Sequence, residues 1–252
     1  MALKLAVFCS VYNEADFLYQ FLRHYTDQVD TIFVLDNEST DGSPSMCHNF
    51  PNVELSSYGT GGKFDDKKKH QTVIEKGAQC AGSYDYLIYV DSDEFIVSKR
   101  GSSIRETIEQ SGRQDIYGTD GWNIYEYPDD KPYDPTRSVL SQRRRGVPNE
   151  WYSKPCIVRS GFKADYCLGF HYLNPAGSNA HLKDQSKTLF WLFHLRGFSE
   201  EIFIRRSLNR STRMIAPWPG HYYWGATEDN FRKRFAYERT ATTVTTIVPA
   251  GL

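Results

Sequence analysis

The first third of the chain alternates between short unbroken apolar runs and stretches where apolar residues recur every three or four positions. Residues 3–10 are apolar and rich in β-formers, which predicts a strand buried on both faces. The run breaks at Ser10-Val11-Tyr12-Asn13-Glu14, and then Phe17, Leu18, Phe21, Leu22 and Tyr25 fall at helical spacing, predicting an amphipathic helix to about Asp27. A second strand is predicted over 31–35, ending in the turn-rich cluster Asp36-Asn37-Glu38-Ser39-Thr40-Asp41-Gly42. A short helix over 44–50, a third strand over 53–56 and a helix over 67–80, capped by Asp65 or Asp66, follow. They lead to Tyr86-Leu87-Ile88-Tyr89-Val90, a fourth buried run that meets Asp91-Ser92-Asp93-Glu94-Phe95 directly. The order β-α-β-α-β-α-β predicts right-handed crossovers and a mostly parallel sheet.

Beyond Phe95 the pattern changes. A helix is predicted over 103–110, one or two aromatic-faced strands over 115–127, and a polar loop over 128–145 with three prolines and the run Arg143-Arg144-Arg145. Residues 151–159 and 162–172 suggest further strands in antiparallel arrangement, and 189–195 an apolar strand. Ser199 caps a helix to about Met214, with Glu200 and Glu201 in its positive first turn. A last helix covers 228–239, and the segment after Thr240 reads as a frayed tail. With no internal repeat and no linker, 1–252 reads as one domain: a first half over 1–98, a second over 99–240, and a tail over 241–252. The fold class is α/β, a mostly parallel central sheet flanked by helices with a smaller antiparallel portion in the C-terminal half.

Composition narrows the function classes. The 252 residues carry 30 basic and 31 acidic side chains, so no global field favours nucleic acid. Five cysteines show neither Cys-x-x-Cys nor zinc-ligand spacing, which suits reduced thiols. Strand pattern begins by Leu3 and no apolar run approaches the length of a membrane span. The expectation is a soluble cytoplasmic protein without a transmembrane segment.

The chemistry concentrates where the fourth strand ends, since open α/β sheets bind ligands beyond the carboxyl ends of their strands. Asp91 and Asp93 are two apart and would point the same way from an extended backbone. Carboxylates held that close raise each other's pKa unless a cation sits between them. A hard divalent ion, Mg²⁺ or Mn²⁺, would resolve the repulsion and carry phosphate oxygens as further ligands. A strand followed by an acidic turn is the alternative.

Three strand ends carry acids in order: Asn13-Glu14, Asp36-Asn37 and Asp91-Ser92-Asp93. Together they resemble the nucleotide-sugar half of a family 2 glycosyltransferase with the GT-A fold, in the branch carrying Asp-x-Asp-Glu-Phe and related to family 92. Trp151-Tyr152-Ser153-Lys154…Arg159 and His194-Leu195-Arg196 extend the likeness. It covers residues 3–98 well and 151–206 loosely.

The resemblance implies a metal-dependent enzyme that moves a sugar from a nucleoside-diphosphate donor, UDP-linked by preference, to a saccharide or glycan acceptor. Backbone at Val11 and side chains of Asn13 and Glu14 would line the donor pocket, and Asp36, with Asn37, would meet base or ribose. Asp91, beside Ser92, would contact ribose or metal, and Asp93 would ligate the metal with His194, or else His171, as a late ligand. Lys67 and Gln71 are further donor candidates, and Lys154 and Arg159 could neutralise diphosphate. The arginines at 143–145 and 205–206 could do so too, but a solvated face is the better account of them. An inverting course also needs a general base, for which Glu150 is the candidate. Trp224-Gly225-Ala226-Thr227-Glu228-Asp229 has the look of an acceptor-site motif, but stands after His194 where the order requires it before.

Rival classes remain. A non-catalytic carbohydrate- or Ca²⁺-binding module would keep the carboxylates without using nucleotide. A sugar nucleotidyltransferase shares the fold but needs a glycine-rich basic loop after the first strand, and residues 10–14 contain no glycine. Gly59-Thr60-Gly61-Gly62-Lys63-Phe64 lacks the spacing of a P-loop.

Overall fold

A computed structural model describes residues 2–175, 188–214, 227–240 and 245–247. Trp224, Gly225 and Ala226 of the late motif, and most of the tail, lie outside these residues.

The first strand, β1 (Leu5–Val11), is followed by α1 (Ala15–Tyr25), β2 (Thr31–Asp36), α2 (Ser43–Cys47), β3 (Val53–Ser57), α3 (Asp66–Gln79) and β4 (Tyr86–Tyr89). These bounds fall within a few residues of the sequence reading. β3, β2, β1 and β4 lie side by side in that order, all parallel. Their two-sided burial shows in the parity of the side chains. Leu5, Val7, Cys9, Ile32, Val34, Tyr86 and Ile88 join the large core that includes the apolar face of α1. Ala6, Phe8, Phe33, Leu35, Leu87 and Tyr89 face the opposite layer with Val73 of α3. Each fully buried side chain of this kind contributes about 1.5–3 kcal/mol. Asp65 caps α3 by accepting from the Lys68 amide at 2.9 Å.

The chain then leaves this sheet. β5 (Glu94–Ser98) follows the acidic turn, and α4 (Ile104–Gln110), β6 (Ile116–Tyr117), β7 (Thr119–Tyr125), α5 (Val139–Gln142), β8 (Arg145–Pro148) and β9 (Ile157–Arg159) come next. A short hairpin pairs β10 (Ala164–Tyr166) with β11 (Leu173–Pro175), and β12 (Phe190–Gly197), α6 (Glu200–Arg213), α7 (Glu228–Thr240) and β13 (Thr245–Thr246) complete the described chain. β9 and β6 extend the first sheet antiparallel beyond β4. A second sheet runs β13-β8-β7-β12-β5, antiparallel except for the β7–β12 pair. This is the expected α/β class, with the smaller and mainly antiparallel sheet drawn largely from the C-terminal half.

Three expectations are corrected. The strand after the acids, β5, was not foreseen; it opens with a glutamate whose side chain is fully buried. The loop expected over 128–145 contains α5, whose Val139 and Leu140 are buried because they pack into the main core. The tail is not frayed throughout, since Thr245 and Thr246 pair with Gly146 and Arg145.

β5 is an edge strand, and α1 covers that edge. The Tyr25 hydroxyl donates to the Glu94 carbonyl at 3.1 Å and accepts from the Ile96 amide at 2.9 Å, while His24 Nε2 donates to the Ile96 carbonyl at 2.9 Å. Side chains thus satisfy backbone groups that would otherwise be open to another strand.

Candidate active site

The acids do not continue β4 as an extended strand. The Glu94 amide bonds back to the Asp91 carbonyl at 3.0 Å, closing a turn over Asp91-Ser92-Asp93-Glu94. The expectation that Asp91 and Asp93 point the same way is therefore wrong. Asp91 keeps the parity of Leu87 and Tyr89 and meets α3, where Lys69 Nζ contacts its Oδ1 at 2.6 Å. Asp93 turns toward the second sheet, its carbonyl accepting from the Leu195 amide at 2.7 Å.

Sheet register assembles the other half. His194 on β12 stands opposite Glu94 of β5 and Asn123 of β7. Asn123 Oδ1 accepts from His194 Nδ1 at 2.8 Å, which turns Nε2 toward Asp93 Oδ2, 3.4 Å away. The Tyr152 ring stacks on His194 with centroids 3.8 Å apart. Arg206 on α6 reaches both strand ends: Nη1 donates to Asp93 Oδ2 at 2.7 Å and Nη2 to Glu14 Oε1 at 2.9 Å. Lys154, almost fully buried, donates to Glu94 Oε1.

Charge follows this pairing. Burial raises the Asp91 carboxyl, but Lys69 and then Lys154 outweigh it and hold it at about 2. Burial is likewise overcome at Asp93, which Arg206 and His194 keep well below the usual carboxylate range. Glu14 goes the other way: burial pushes it up to about 7 against the pull of Arg206. Its Oε2 is buried without a hydrogen-bond partner among the described residues.

All of these groups except the fully enclosed Glu94 line a cleft of about 1080 Å³ between the two sheets and α6. Of the residues predicted from sequence, Val11, Asn13, Glu14, Asn37, Asp91, Ser92, Asp93, Lys154, His171 and His194 reach it. Asn13, at φ 51°, ties the first loop to the second: its amide donates to Ser39 Oγ at 2.9 Å and its Oδ1 accepts from the Thr40 amide at 2.7 Å. Asparagine tolerates this left-handed backbone better than most residues. His171 lies against Trp151, donating from Nδ1 to the Trp151 carbonyl at 2.7 Å.

Five predicted residues do not line the cleft. Asp36 is buried and accepts from the Ser39 amide with both oxygens, at 3.3 and 3.2 Å, as a turn cap. Lys67 is exposed on α3, and Gln71 donates to Glu75 Oε1 at 2.7 Å on the outer face of the same helix. Arg159 pairs with Asp115 at 2.9 Å, opposite Tyr86 at the amino end of β4, away from the acids. Glu150 is exposed, although Asn149 and Trp151 on either side of it face the cleft. The arginine runs are not simply solvated: Arg143 is buried, donating to the Phe198 and Lys131 carbonyls and to Glu126, and Arg206 stands in the cleft.

Sequence reasoning missed Lys69 and Asn123, and undervalued Arg206. Lys69 carried a usable signal, lying on the helix that packs over Asp91's parity. Arg206 was marked only as one of a basic pair, and no signal in the sequence marked Asn123.

As to a metal ion, Asp93 and His194 offer an anionic oxygen and a ring nitrogen 3.4 Å apart, with the imidazole oriented from behind by Asn123, an arrangement usual for ligating histidines. Among the described residues no third His, Cys, Asp or Glu joins them. Two protein ligands fit an ion that takes its remaining ligands from phosphate and water. Asp91, bound to Lys69, and His171, packed at a tilt against Trp151, do not form a group of three with this pair.

The acids beyond the parallel sheet thus face the arginines of α6 across one cleft in an α/β fold. Residues 6–161 match the glycosyl transferase family 2 profile, and the chain belongs to that family. No curated protein matches it. Among solved structures, it is similar to glucosyl-3-phosphoglycerate synthase from Mycobacterium tuberculosis, in complex with Mn²⁺, UDP and glucosyl-3-phosphoglycerate. Identity is 12%, over 48% of this chain and 44% of that one, with a TM-score of 0.32. GalNAc-T7 with UDP, GalNAc and Mn²⁺ is similar at 10% identity over 90% and 40%, with a TM-score of 0.36. A 4-diphosphocytidyl-2C-methyl-D-erythritol synthase is similar at 13% over 94% and 85%, with a TM-score of 0.32. The chain spans less than half the length of the first two. At these TM-scores the family match alone carries the assignment.

Proposed function

We propose that this protein is a metal-assisted glycosyltransferase that takes a sugar from a nucleoside-diphosphate donor, UDP-linked by preference, and passes it to a saccharide or glycan acceptor. The observation that carries this reading is the meeting of Asp93, His194 and Arg206 beyond the end of β4, in a cleft that also receives the ends of β1 and β2. Asp93 and His194 would hold Mn²⁺ or Mg²⁺. The ion would stabilise the negative charge that develops on a departing diphosphate. The chain's own residues do the rest. Val11, Asn13, Glu14 and Asn37 form the wall for nucleoside, Asp91 held by Lys69 offers carboxylate oxygen to ribose hydroxyls, and Arg206, Arg210 and Arg213 face the diphosphate from α6. Trp151 and Tyr237, both exposed at the cleft, form the opposite wall for an acceptor.

Calorimetric titration with UDP and Mn²⁺ tests the reading. Saturable heat that depends on Mn²⁺ is expected, with Asp93→Ala abolishing transfer while the far-UV spectrum stays native. No heat from the wild-type protein would favour a sugar-binding module instead, and an active Asp93→Ala enzyme would remove the metal role of that carboxylate.

A further inference from the structure

Among the described residues around the acidic turn, three cations serve four carboxylates. Asp91 has Lys69 and Glu94 has Lys154, whereas Glu14 and Asp93 share Arg206. The missing charge therefore falls between Glu14 and Asp93, where Glu14 Oε2 is buried with no hydrogen-bond partner among the described residues. Arg206 is held there from behind as well, its guanidinium carbon 4.3 Å from the centroid of the Phe17 ring. The oxygen it binds, Asp93 Oδ2, is also the one that faces His194 Nε2. An ion seated between Asp93 and His194 would share that oxygen with a guanidinium 2.7 Å away, and two positive centres so close repel strongly in a partly desolvated site.

We propose that Arg206 is a built-in counter-cation that competes with a divalent ion for Asp93, so that the metal binds well only when a diphosphate takes over the guanidinium. This rests on the reading of the cleft as a diphosphate site. A planar guanidinium suits the exchange, since its donors fit carboxylate and phosphate oxygens alike. Arg210 and Arg213, four and seven residues further along α6, line the same cleft and would draw the diphosphate to that side. The coupling is reciprocal: whatever factor UDP contributes to metal affinity, the metal contributes to UDP affinity.

Electron paramagnetic resonance of Mn²⁺, with and without UDP, tests this on wild type, Arg206→Met and Arg206→Lys. Wild type should bind Mn²⁺ alone weakly and gain about tenfold or more with UDP. Arg206→Met should bind Mn²⁺ alone about tenfold tighter than wild type, with little further gain from UDP. Mn²⁺ without UDP should also raise its melting temperature more than that of wild type. Arg206→Lys, which keeps a charge but cannot span both carboxylates, should fall between. A folded Arg206→Met with Mn²⁺ affinity equal to or below wild type overturns the proposal. Should that variant not fold, an Arg206→Lys protein no tighter than wild type overturns it equally. Failure of wild type to bind UDP with Mn²⁺, beside a tightened Mn²⁺ site in Arg206→Met, would sink the nucleotide reading and leave the competition standing.

Discussion

Single residues in this cleft matter through the partner each was given. Glu94 is fully enclosed at the start of β5, with Lys154 on its Oε1 and the Asp91 amide on its Oε2 at 3.1 Å. Burial disfavours the charge on Lys154, but Glu94 and Asp91 overcome it and hold the ammonium protonated. Replacing Lys154 by Met strands a buried carboxylate, and should cost about 3–5 kcal/mol. Glu94→Gln in the same chain should recover much of that, because a neutral amide needs no counter-charge. Urea unfolding of the single and double variants reads both values, and a Lys154→Met protein as stable as wild type would show that the pair is not ionised. The sequence exposed these acids by their place after an apolar run, which is a local signal. Their partners were hidden by distance along the chain: 60 residues separate Glu94 from Lys154, 71 separate Asn123 from His194, and 113 separate Asp93 from Arg206. Lys69 is 22 residues from Asp91 and lies on a helix that the pattern did locate, so it alone was within reach.

Secondary elements were legible where one physical rule governed the whole segment. β1, β2 and β4 are buried on both sides and read as unbroken apolar runs, and α1 shows its buried face every third or fourth residue. β5 was hidden because its first residue is a glutamate, and a buried acid is indistinguishable in sequence from a turn acid. The same limit applies to the close approach of β7 to the short 3₁₀ turn Glu150–Tyr152. A Cβ on Gly121 would stand 2.3 Å from the Tyr152 carbonyl carbon and 2.6 Å from both Asn149 O and Ser153 N, all backbone atoms. That turn carries Tyr152 onto His194 and Trp151 to the cleft. Gly121→Ala must push the turn outward, at a cost of about 1–3 kcal/mol. The expected result is a lower melting temperature together with weaker Mn²⁺-dependent UDP binding, because the stacked ring would leave His194. An unchanged melting temperature would mean that the turn yields without resistance.

On the scale of the whole molecule, the two sheets are joined by α1, which packs on the first and closes the edge of the second. His24 is at that junction, its ring 4.7 Å from Tyr25 and 5.1 Å from Phe95, bonded to the Ile96 carbonyl. Burial lowers its pKa from 6.5 to about 4, opposed by that carbonyl. A histidine whose folded pKa is depressed stabilises the fold above the unfolded value, and this is lost as pH falls from about 6.5 toward 4. Allowing for partial exposure, the loss is on the order of 2 kcal/mol. Glu14 acts in the reverse direction over nearly the same window. Its carboxyl is raised from 4.5 to about 7, so the folded state takes up a proton first and gains stability as pH falls through that range. The two contributions oppose each other between pH 7 and 4, so the wild-type profile alone isolates neither. The difference between wild type and His24→Gln isolates the histidine: urea midpoints of the two proteins should converge as pH drops from 7 to 4, the variant losing less. Parallel profiles would place the His24 titration outside this range and remove the junction between the sheets as an acid-sensitive point.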